Sequence, residues 1–264
     1  MERETAVLHI LQGLLPLPIP NPVYVSHGAH EVGRAFMGYA KVPGKPLYQE
    51  MLQSIDDEGV IQEIVEQLAL FLSSLHRIPV TQLEQLALPT APSREALAAL
   101  YTKTHEELFP QMPQDRQAQI TDLFEAFLGT PEHVAVTPVL VHGNFGPETI
   151  LYHAKERRIS GVIDFSRACL GDPALDFARL VGPAGYSEGF LQRWVPIYPE
   201  LQELLPRAKF YAVVVTLEEE LRQRREQEQR ASTPSPFPEI DRIFRESPEV
   251  RAGEDETPIG GNSY

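Results

Sequence analysis

The amino-acid sequence predicts an α+β protein in which a small N-terminal β-lobe precedes a larger, mainly helical lobe. Apolar residues recur at helical spacing over residues 54–128 and again from 173 to about 229. Two short strand candidates lie within 23–40, and short apolar runs joined by tight polar turns lie at 138–165. The segment KVPGKP, at 41–46, separates the first β region from the helices. The chain of 264 residues is long enough to bury the core of one large domain or two unequal ones.

The first lobe, residues 1–41, is predicted to hold one helix and two strands. Residues 2–15 carry apolar side chains at helical spacing. The prolines of 16–22 end this helix, because they remove backbone donors and force an extended chain. Strands are predicted at 23–26 and 33–40, and the first is rich in β-branched and aromatic residues.

The second lobe, residues 42–230, is predicted to begin with its strongest helix, at 54–76. Ser54 or Asp56 is placed to cap this helix, and its apolar residues form one stripe. Two more helices and three short strands, suggestive of small hairpins, follow before helical spacing resumes at 173. The helices are predicted at about 92–109 and 114–128, and the strands at 138–142, 149–153 and 158–165.

The two ends of the sequence do not resemble targeting or membrane segments. Residues 231–264 are rich in proline, serine, glycine and charge, and are predicted to form a loosely ordered tail. Residues 1–20 have acidic side chains where a signal peptide needs basic ones. No stretch reaches the roughly 18 apolar residues that cross a bilayer. We therefore expect a cytoplasmic protein with no membrane partner.

Charge and cysteine content narrow the function classes further. The net charge of −14 argues against nucleic acid as a partner, because phosphate binding uses a basic face. The same charge would suit a cationic small molecule. The single cysteine, Cys169, excludes an intrachain disulfide and a cysteine-based metal cluster, and is expected to be a buried apolar residue.

Six polar residues of the kinds that carry chemistry fall within 35 positions of one another. Taken singly, most of them are explained as helix caps and turn residues, and Asp172 before Pro173 is typical of a helix start. Asp164 differs, because it follows the apolar pair Val162-Ile163, and a buried carboxylate is costly without a partner or a metal. The six are His142, Asn144, Thr149, Asp164, Asp172 and Asp176.

The order of these motifs resembles the aminoglycoside phosphotransferase and choline-kinase-like family, whose fold is that of protein kinases. The likeness rests on LVHGNFGPETILY, ISGVIDFSRACLGDPALDFARL, LALFLSSLHRIP and FMGYAKVPGKPL, in the family's order over roughly residues 1–220. It implies a protein-kinase-like fold with a reduced N-terminal lobe, a hinge near 37–44 and a helical lobe that carries the catalytic loop. It further implies descent from an ATP-dependent kinase that transfers a phosphoryl group to a hydroxyl of a small molecule.

The resemblance also implies roles for the loop residues, with two departures from the family pattern. Asn144 occupies the position of the catalytic base, yet an amide has no useful basicity near neutral pH. Thr149 occupies the position of a metal-binding asparagine. Asp164 is retained as a Mg²⁺ ligand, and Asp176 and His142 are implied to support the loop.

A nucleotide site is implied at the hinge, where the backbone of Met37, Gly38, Tyr39 and Ala40 would meet adenine. The family's phosphate-binding lysine and covering loop precede the helix that 2–20 resembles, and no lysine occurs before Lys41. Glu2 or Glu4 would be the acidic partner of that lysine.

These features predict a degenerate phosphotransferase, or pseudokinase, that still binds ATP with Mg²⁺ and an unknown small molecule. A working kinase with a different base, for which Glu148 is the candidate, is the first alternative. A non-catalytic protein is the second, acting through the charged helix at 218–230 or as a homodimer through its incomplete sheet. A metal-dependent hydrolase using His142, His153, Asp164 and Asp172 lacks a recognised ligand spacing.

Overall fold

The computed structural model describes residues 1–26, 36–130, 133 and 136–232 of the chain. Contacts divide the chain into two compact units, Met1–Glu219 and Glu220–Tyr264. Every strand among the described residues belongs to the first unit. The described part of the second is the end of a long helix, where Arg222 forms an ion pair with Glu226 one turn later. Residues 33–35 of the predicted second strand, and residues 233–264 of the predicted tail, lie outside the described residues.

One helix and a two-stranded sheet form the N-terminal part. Helix α1 covers Glu2–Leu11, and strands β1 (Pro22–Val25) and β2 (Met37–Tyr39) pair antiparallel. The helix ends short of the predicted residue 15, since Gly13 adopts a φ of 76°, in the left-handed region that glycine favours. Exposed side chains on this sheet include Tyr24, and the predicted homodimer through it stays a prediction.

The predicted helix at 54–76 is preceded by a separate short helix, and this changes its cap. Helix α2 covers Gln49–Gln53 and α3 covers Glu58–His76. The prediction of Ser54 or Asp56 as the cap is wrong, because Ser54 ends α2 with its hydroxyl bonded to the Met51 carbonyl. Asp57 caps α3 instead, accepting from the backbone N–H groups of the next turn.

Two small three-stranded sheets frame the polar cluster. In the order β3–β6–β7, β6 and β7 form the predicted hairpin, and β3 after the hinge pairs with β6. In the order β4–β8–β5, strand β8 pairs antiparallel with β5 and parallel with β4. The strands are β3 Lys45–Pro46, β4 Thr90–Ala91, β5 Val139–Val141, β6 Ile150–His153, β7 Arg158–Val162 and β8 Cys169–Gly171.

The remaining elements are helical, and their buried apolar side chains contribute to the core together with those of α3. None of the helices in the described part of the chain is long and apolar enough to cross a membrane. Short 3-10 turns occur at Val80–Gln82, Glu84–Leu86 and Phe109–Gln111. The helices are α4 Arg94–Glu107, α5 Gln114–Gly129, α6 Leu175–Val181, α7 Glu188–Gln192 and α8 Leu201–Ser232.

Candidate functional site

The loop of residues 142–149 connects β5 to β6 and carries the first of the polar residues. Gly143 has a φ of 74°, and a side chain there would collide with the backbone carbonyl of Arg167. Gly146 packs against the side chain of Arg179, where a Cβ would come within 2.9 Å of the arginine Cβ. Two glycines are therefore required for the loop to lie closely against the two arginine-bearing segments.

A buried carboxylate beneath the loop holds its backbone. Asp176, at the start of α6, accepts the backbone N–H of His142 at 2.8 Å and that of Gly143 at 2.7 Å. His76, at the end of α3, contacts the same carboxylate through Nε2 at 2.9 Å, and its Nδ1 lies 2.8 Å from the hydroxyl of Tyr198. Asp176 is fully buried, so these bonds are what make a carboxylate tolerable there.

His142 is a neutral structural histidine in this arrangement. Its Nδ1 accepts the backbone N–H of Asn144 at 3.2 Å, which leaves the proton on Nε2 to be donated to the Ile163 carbonyl at 3.1 Å. Burial lowers the pKa of His142 from its usual value of 6.5, although the carboxylates of Asp176 and Asp164 oppose this shift. His142 thus fixes the start of the loop to the strand end that precedes Asp164.

Asn144 and Asp164 are brought into direct contact. The side-chain amide of Asn144 donates to Oδ2 of Asp164 at 2.7 Å. Partial burial would raise the pKa of Asp164, but hydrogen bonds from Ser166 and Asn144 outweigh it and hold that pKa below 3.8. Asp164 has a φ of 68°, an αL conformation that aspartate tolerates better than most residues. The carboxylate is therefore ionised, oriented and held by an amide at neutral pH.

Thr149 uses its hydroxyl within the loop. Its Oγ1 lies 2.9 Å from the Asn144 carbonyl and 3.1 Å from the Gly146 carbonyl, and it accepts the Gly146 N–H. Because a hydroxyl has one proton and two lone pairs, the loop backbone already engages the donor and one acceptor position. The residue is 3% exposed. Its assignment as a metal ligand stays a prediction.

Glu4 on α1 lies next to this pair. The pKa of Glu4 is raised first by burial and then by the negative charge of Asp164, while a hydrogen bond from the Phe165 backbone partly offsets the rise. Glu4 is thus the acidic residue of α1 that faces the candidate site. Among the described residues, no group of three or more His, Cys, Asp or Glu side chains is arranged to hold a metal ion.

Charged pairs border the other side of the loop. Glu148, the alternative base, accepts from Arg179 at 2.9 Å, and Arg179 also lies 3.7 Å from Glu219. Arg167 lies 3.9 Å from Glu218, whose pKa is raised by burial against the lowering effect of nearby arginines. The loop is therefore flanked by two guanidinium groups and their carboxylate partners.

The predicted hinge residues lie in and after β2. Met37 and Gly38 pair with Val25 and Tyr24 of β1, and Tyr39 pairs with Pro22. Met37 also contacts the hydroxyl of Thr5 on α1 at 3.2 Å. From Ala40 the chain runs to β3, so these residues lie where the two-stranded sheet connects to the rest of the unit. Their contact with adenine stays a prediction.

Asp172 stands apart from the loop cluster. Its Oδ1 accepts the Ala174 N–H at 2.9 Å, as a capping aspartate does, but the helix begins at Leu175 and not at Pro173. The same carboxylate pairs with Arg207 at 2.6 Å, so its main contact is a partly buried ion pair. That pairing was not predicted, because the partners lie 35 residues apart in different helical segments.

Two functional supports were missed at the sequence level. His76 falls four residues after Leu72 on the buried stripe of α3, and a polar residue at such a position signals a buried partner. Tyr198 carried no comparable signal, since it lies in the irregular segment between α7 and α8. Together they extend the support of the loop from Asp176 into the helical core.

Most of the chain is similar to phosphotransferases in sequence. A family profile described as the Phosphotransferase enzyme family matches residues 1–211. Viomycin phosphotransferase from Streptomyces vinaceus is 30% identical over 190 residues, which are 71% of this chain and 63% of that protein. The matched region is thus less than two thirds of that relative's length.

The fold is similar to that of solved phosphotransferase structures. The GDP and kanamycin complex of APH(2")-IIia superposes with a TM-score of 0.76 at 23% identity, covering 95% of this chain and 82% of that one. Macrolide 2'-phosphotransferase type I superposes with a TM-score of 0.61 at 20% identity, covering 81% and 71% respectively. These likenesses confirm the predicted kinase-like α+β fold with a reduced N-terminal lobe.

Proposed function

Because the chain belongs to the Phosphotransferase enzyme family, we propose that it binds a nucleoside triphosphate with Mg²⁺ and is strongly impaired in phosphoryl transfer. Phosphoryl transfer passes through a loose transition state and depends on positioned charges and a group that orients the acceptor hydroxyl. The proposal therefore turns on which of these groups remain around the loop of residues 142–149.

The nucleotide part of the proposal rests on Asp164. Mg²⁺ is held in nucleotide sites by one or two carboxylates together with the substrate phosphates. The depressed pKa and fixed orientation of Asp164 suit it to this role, and the structural neighbours include a GDP complex. Bound Mg²⁺ would neutralise phosphate charge, and Asp164 would position it. The backbone from Met37 to Ala40 is where we place the adenine ring.

The impairment rests on one observation, the hydrogen bond from the Asn144 amide to Asp164. An amide that donates its N–H₂ to a carboxylate presents no group able to accept the proton of an acceptor hydroxyl. A positioned base contributes about 10²–10⁴-fold to a rate, so its loss alone is a large effect. The engagement of the Thr149 hydroxyl by the loop backbone supports the same conclusion.

A working kinase that uses Glu148 as its base is the competing function. Glu148 lies in the same loop and its side chain is 40% exposed, which favours its access to an acceptor. Its carboxylate is engaged by Arg179 at 2.9 Å, however, and that ion pair would have to open before the carboxylate could contact an acceptor hydroxyl. We therefore rank this function second.

The acceptor would be a small molecule with a free hydroxyl, as the names of the relatives suggest. Those names refer to viomycin, kanamycin and macrolides. The net charge of −14 would favour a cationic compound among them. Binding of such a compound is compatible with both functions, so it does not distinguish them.

Calorimetric titration with ATP and Mg²⁺ tests the proposal directly. We expect saturable binding by the native chain, loss of binding in Asp164→Ala, and unchanged binding in Asp115→Ala, where the carboxylate is exposed on α5. Steady-state ADP release should be at background level and indifferent to Asn144→Ala. Absence of ATP binding at millimolar concentration would refute nucleotide binding, and acceptor-dependent turnover abolished by Glu148→Gln would establish the competing function.

A further inference from the structure

A pocket on the helical lobe lies outside the candidate site. Its cavity volume is about 340 Å³, and its walls come from α2, the first turn of α3 and residues 186–193. Small-molecule sites have volumes of about 300–1,000 Å³, so the pocket is large enough for a compact ligand. Its lining includes none of the loop residues 142–149 and does not include Asp164.

The pocket combines an apolar wall with amide groups. Leu52 and Phe190 are mostly buried side chains whose remaining surface lines the cavity, and Ile61 joins them from α3. Gln49 and Gln53, one turn apart on α2, add amide donors and acceptors. A mainly apolar surface with a few convergent polar groups is typical of ligand pockets.

Arg193 supplies a cation with unused hydrogen-bond donors. Its Nη2 contacts Oε1 of Glu58 at 2.6 Å and Oε1 of Gln62 at 3.1 Å. Within the described part of the chain, its Nε and Nη1 groups have no acceptor. The arginine side chain is 29% exposed, whereas Glu58 is 79% exposed. The guanidinium is therefore the fixed partner, and Glu58 is the partner that a ligand can displace.

We propose that this pocket binds a small organic monocarboxylate with an apolar body. The ligand carboxylate would displace Glu58 from Nη2 and pair with that group and a neighbouring N–H of the Arg193 guanidinium, because two parallel N–H donors match carboxylate geometry. The apolar body would cover Leu52, Ile61 and Phe190. The amides of Gln49 and Gln53 would bond to any further polar substituent.

The pocket is connected to the candidate site through hydrogen bonds. Tyr186 lines the pocket and donates its hydroxyl to the Leu47 carbonyl at 2.8 Å. The Leu47 N–H donates in turn to the carbonyl of Ile150, the residue that follows Thr149. A ligand in the pocket would thus contact Tyr186, whose hydroxyl holds the segment after β3 beside the start of β6. The pocket would therefore be a second ligand site, linked to the loop of residues 142–149 through these hydrogen bonds.

Binding of phenylacetate to the nucleotide-free protein tests the proposal, with phenylacetamide and acetate as comparison compounds. Calorimetry and ligand-dependent thermal denaturation should show saturable binding of phenylacetate. Phenylacetamide, which lacks the charge, and acetate, which lacks the apolar body, should bind about 10- to 100-fold more weakly. No nucleotide is present, so the result is independent of phosphoryl transfer.

Two variants approach the pocket in different ways. Arg193→Gln removes the cation and should weaken phenylacetate binding about 10- to 100-fold. Gly189→Val should block the cavity without distorting the fold, because a Cβ at Gly189 meets nothing closer than Ser187 Oγ at 4.0 Å. Arg157→Gln, which breaks an exposed ion pair with Asp57 outside the pocket, is the matched control and should bind normally.

Glu58→Gln removes the competing carboxylate and should bind phenylacetate at least as tightly as the native chain. The proposal is overturned if the native chain shows no saturable binding of phenylacetate. It is equally overturned if binding persists in both Arg193→Gln and Gly189→Val, since the ligand would then occupy another site.

Discussion

Replacing Asn144 by aspartate would turn the central hydrogen bond of the candidate site into a repulsion. The Asn144 amide now donates to Asp164 at 2.7 Å, and aspartate has nearly the same shape but no N–H donor. At neutral pH the substitution would set a second negative charge against Asp164. It would also restore the residue type that the resemblance implies for a catalytic base.

The size of this effect follows from the geometry. Two unit charges about 4 Å apart interact by about 1 kcal/mol in water and about 4 kcal/mol at an effective dielectric constant near 20. Both side chains are half-buried, so we expect an intermediate repulsion of about 2 kcal/mol. The lost hydrogen bond adds about 1 kcal/mol. The free energy of unfolding should therefore fall by about 3 kcal/mol at pH 7.5.

The dependence on pH and Mg²⁺ identifies the cause. Repulsion raises the folded-state pKa of the carboxylate pair above the unfolded value of about 3.9. The destabilisation is thus fully present at neutral pH and is relieved as the pH falls through the raised pKa. Millimolar Mg²⁺ should relieve it as well, because a cation between two carboxylates cancels their repulsion.

Urea unfolding at pH 7.5 and pH 5, with and without Mg²⁺, measures these effects. The matched control is the double variant Asn144→Asp with Asp164→Asn, which keeps one amide and one carboxylate in contact. The control should stay within about 1 kcal/mol of the native chain. Equal losses of stability in the single and double variants, unaffected by pH or Mg²⁺, would refute the electrostatic reasoning.

Two further predictions concern the support of the loop. His142 stays neutral in the folded state because burial lowers its pKa, so the stability it confers is present above about pH 6.5 and is lost below it. In His142→Gln the midpoint of urea unfolding should therefore change less between pH 6.5 and pH 5 than in the native chain. An unchanged slope would contradict this. Asp176→Ala should lower the free energy of unfolding in urea by about 3–5 kcal/mol, because the buried N–H groups of the loop and of His76 would lose their acceptor. The control Asp115→Ala should change the free energy of unfolding by less than about 0.5 kcal/mol. Similar losses of unfolding free energy in the two alanine variants would show that Asp176 does not stabilise the loop.

The sequence predicted those elements whose contacts are made between residues close together in the chain. The hairpin of β6 and β7 is one example, because its two apolar runs are joined by a short polar turn. Strand β8, in contrast, has only three residues, and its parallel partner Thr90–Ala91 lies about 80 residues earlier. Such a strand is defined by its partner and not by its own composition.

The candidate site shows the same division. The motif placed Asn144 and Asp164 together in the sequence, yet their contact depends on the positive φ of Asp164 and on the turn at Ser166. The ion pairs of Arg167 and Arg179 could not be deduced from the sequence, because an arginine among charged residues is typical of a solvated surface. Nor could the separation of α2 from α3 be read from apolar spacing, which continues across both helices.

The way in which Asp176 holds the loop has an evolutionary consequence. It bonds to backbone N–H groups of His142 and Gly143, so the shape of the loop does not depend on the side chain at position 144. An ancestor could exchange an acid for an amide there without endangering the fold, and a single codon base would reverse the change, but the reversal would set a second carboxylate against Asp164. Chemistry at this position can therefore be lost without a cost to the loop, whereas regaining it brings back the repulsion between two carboxylates, which Mg²⁺ would have to relieve.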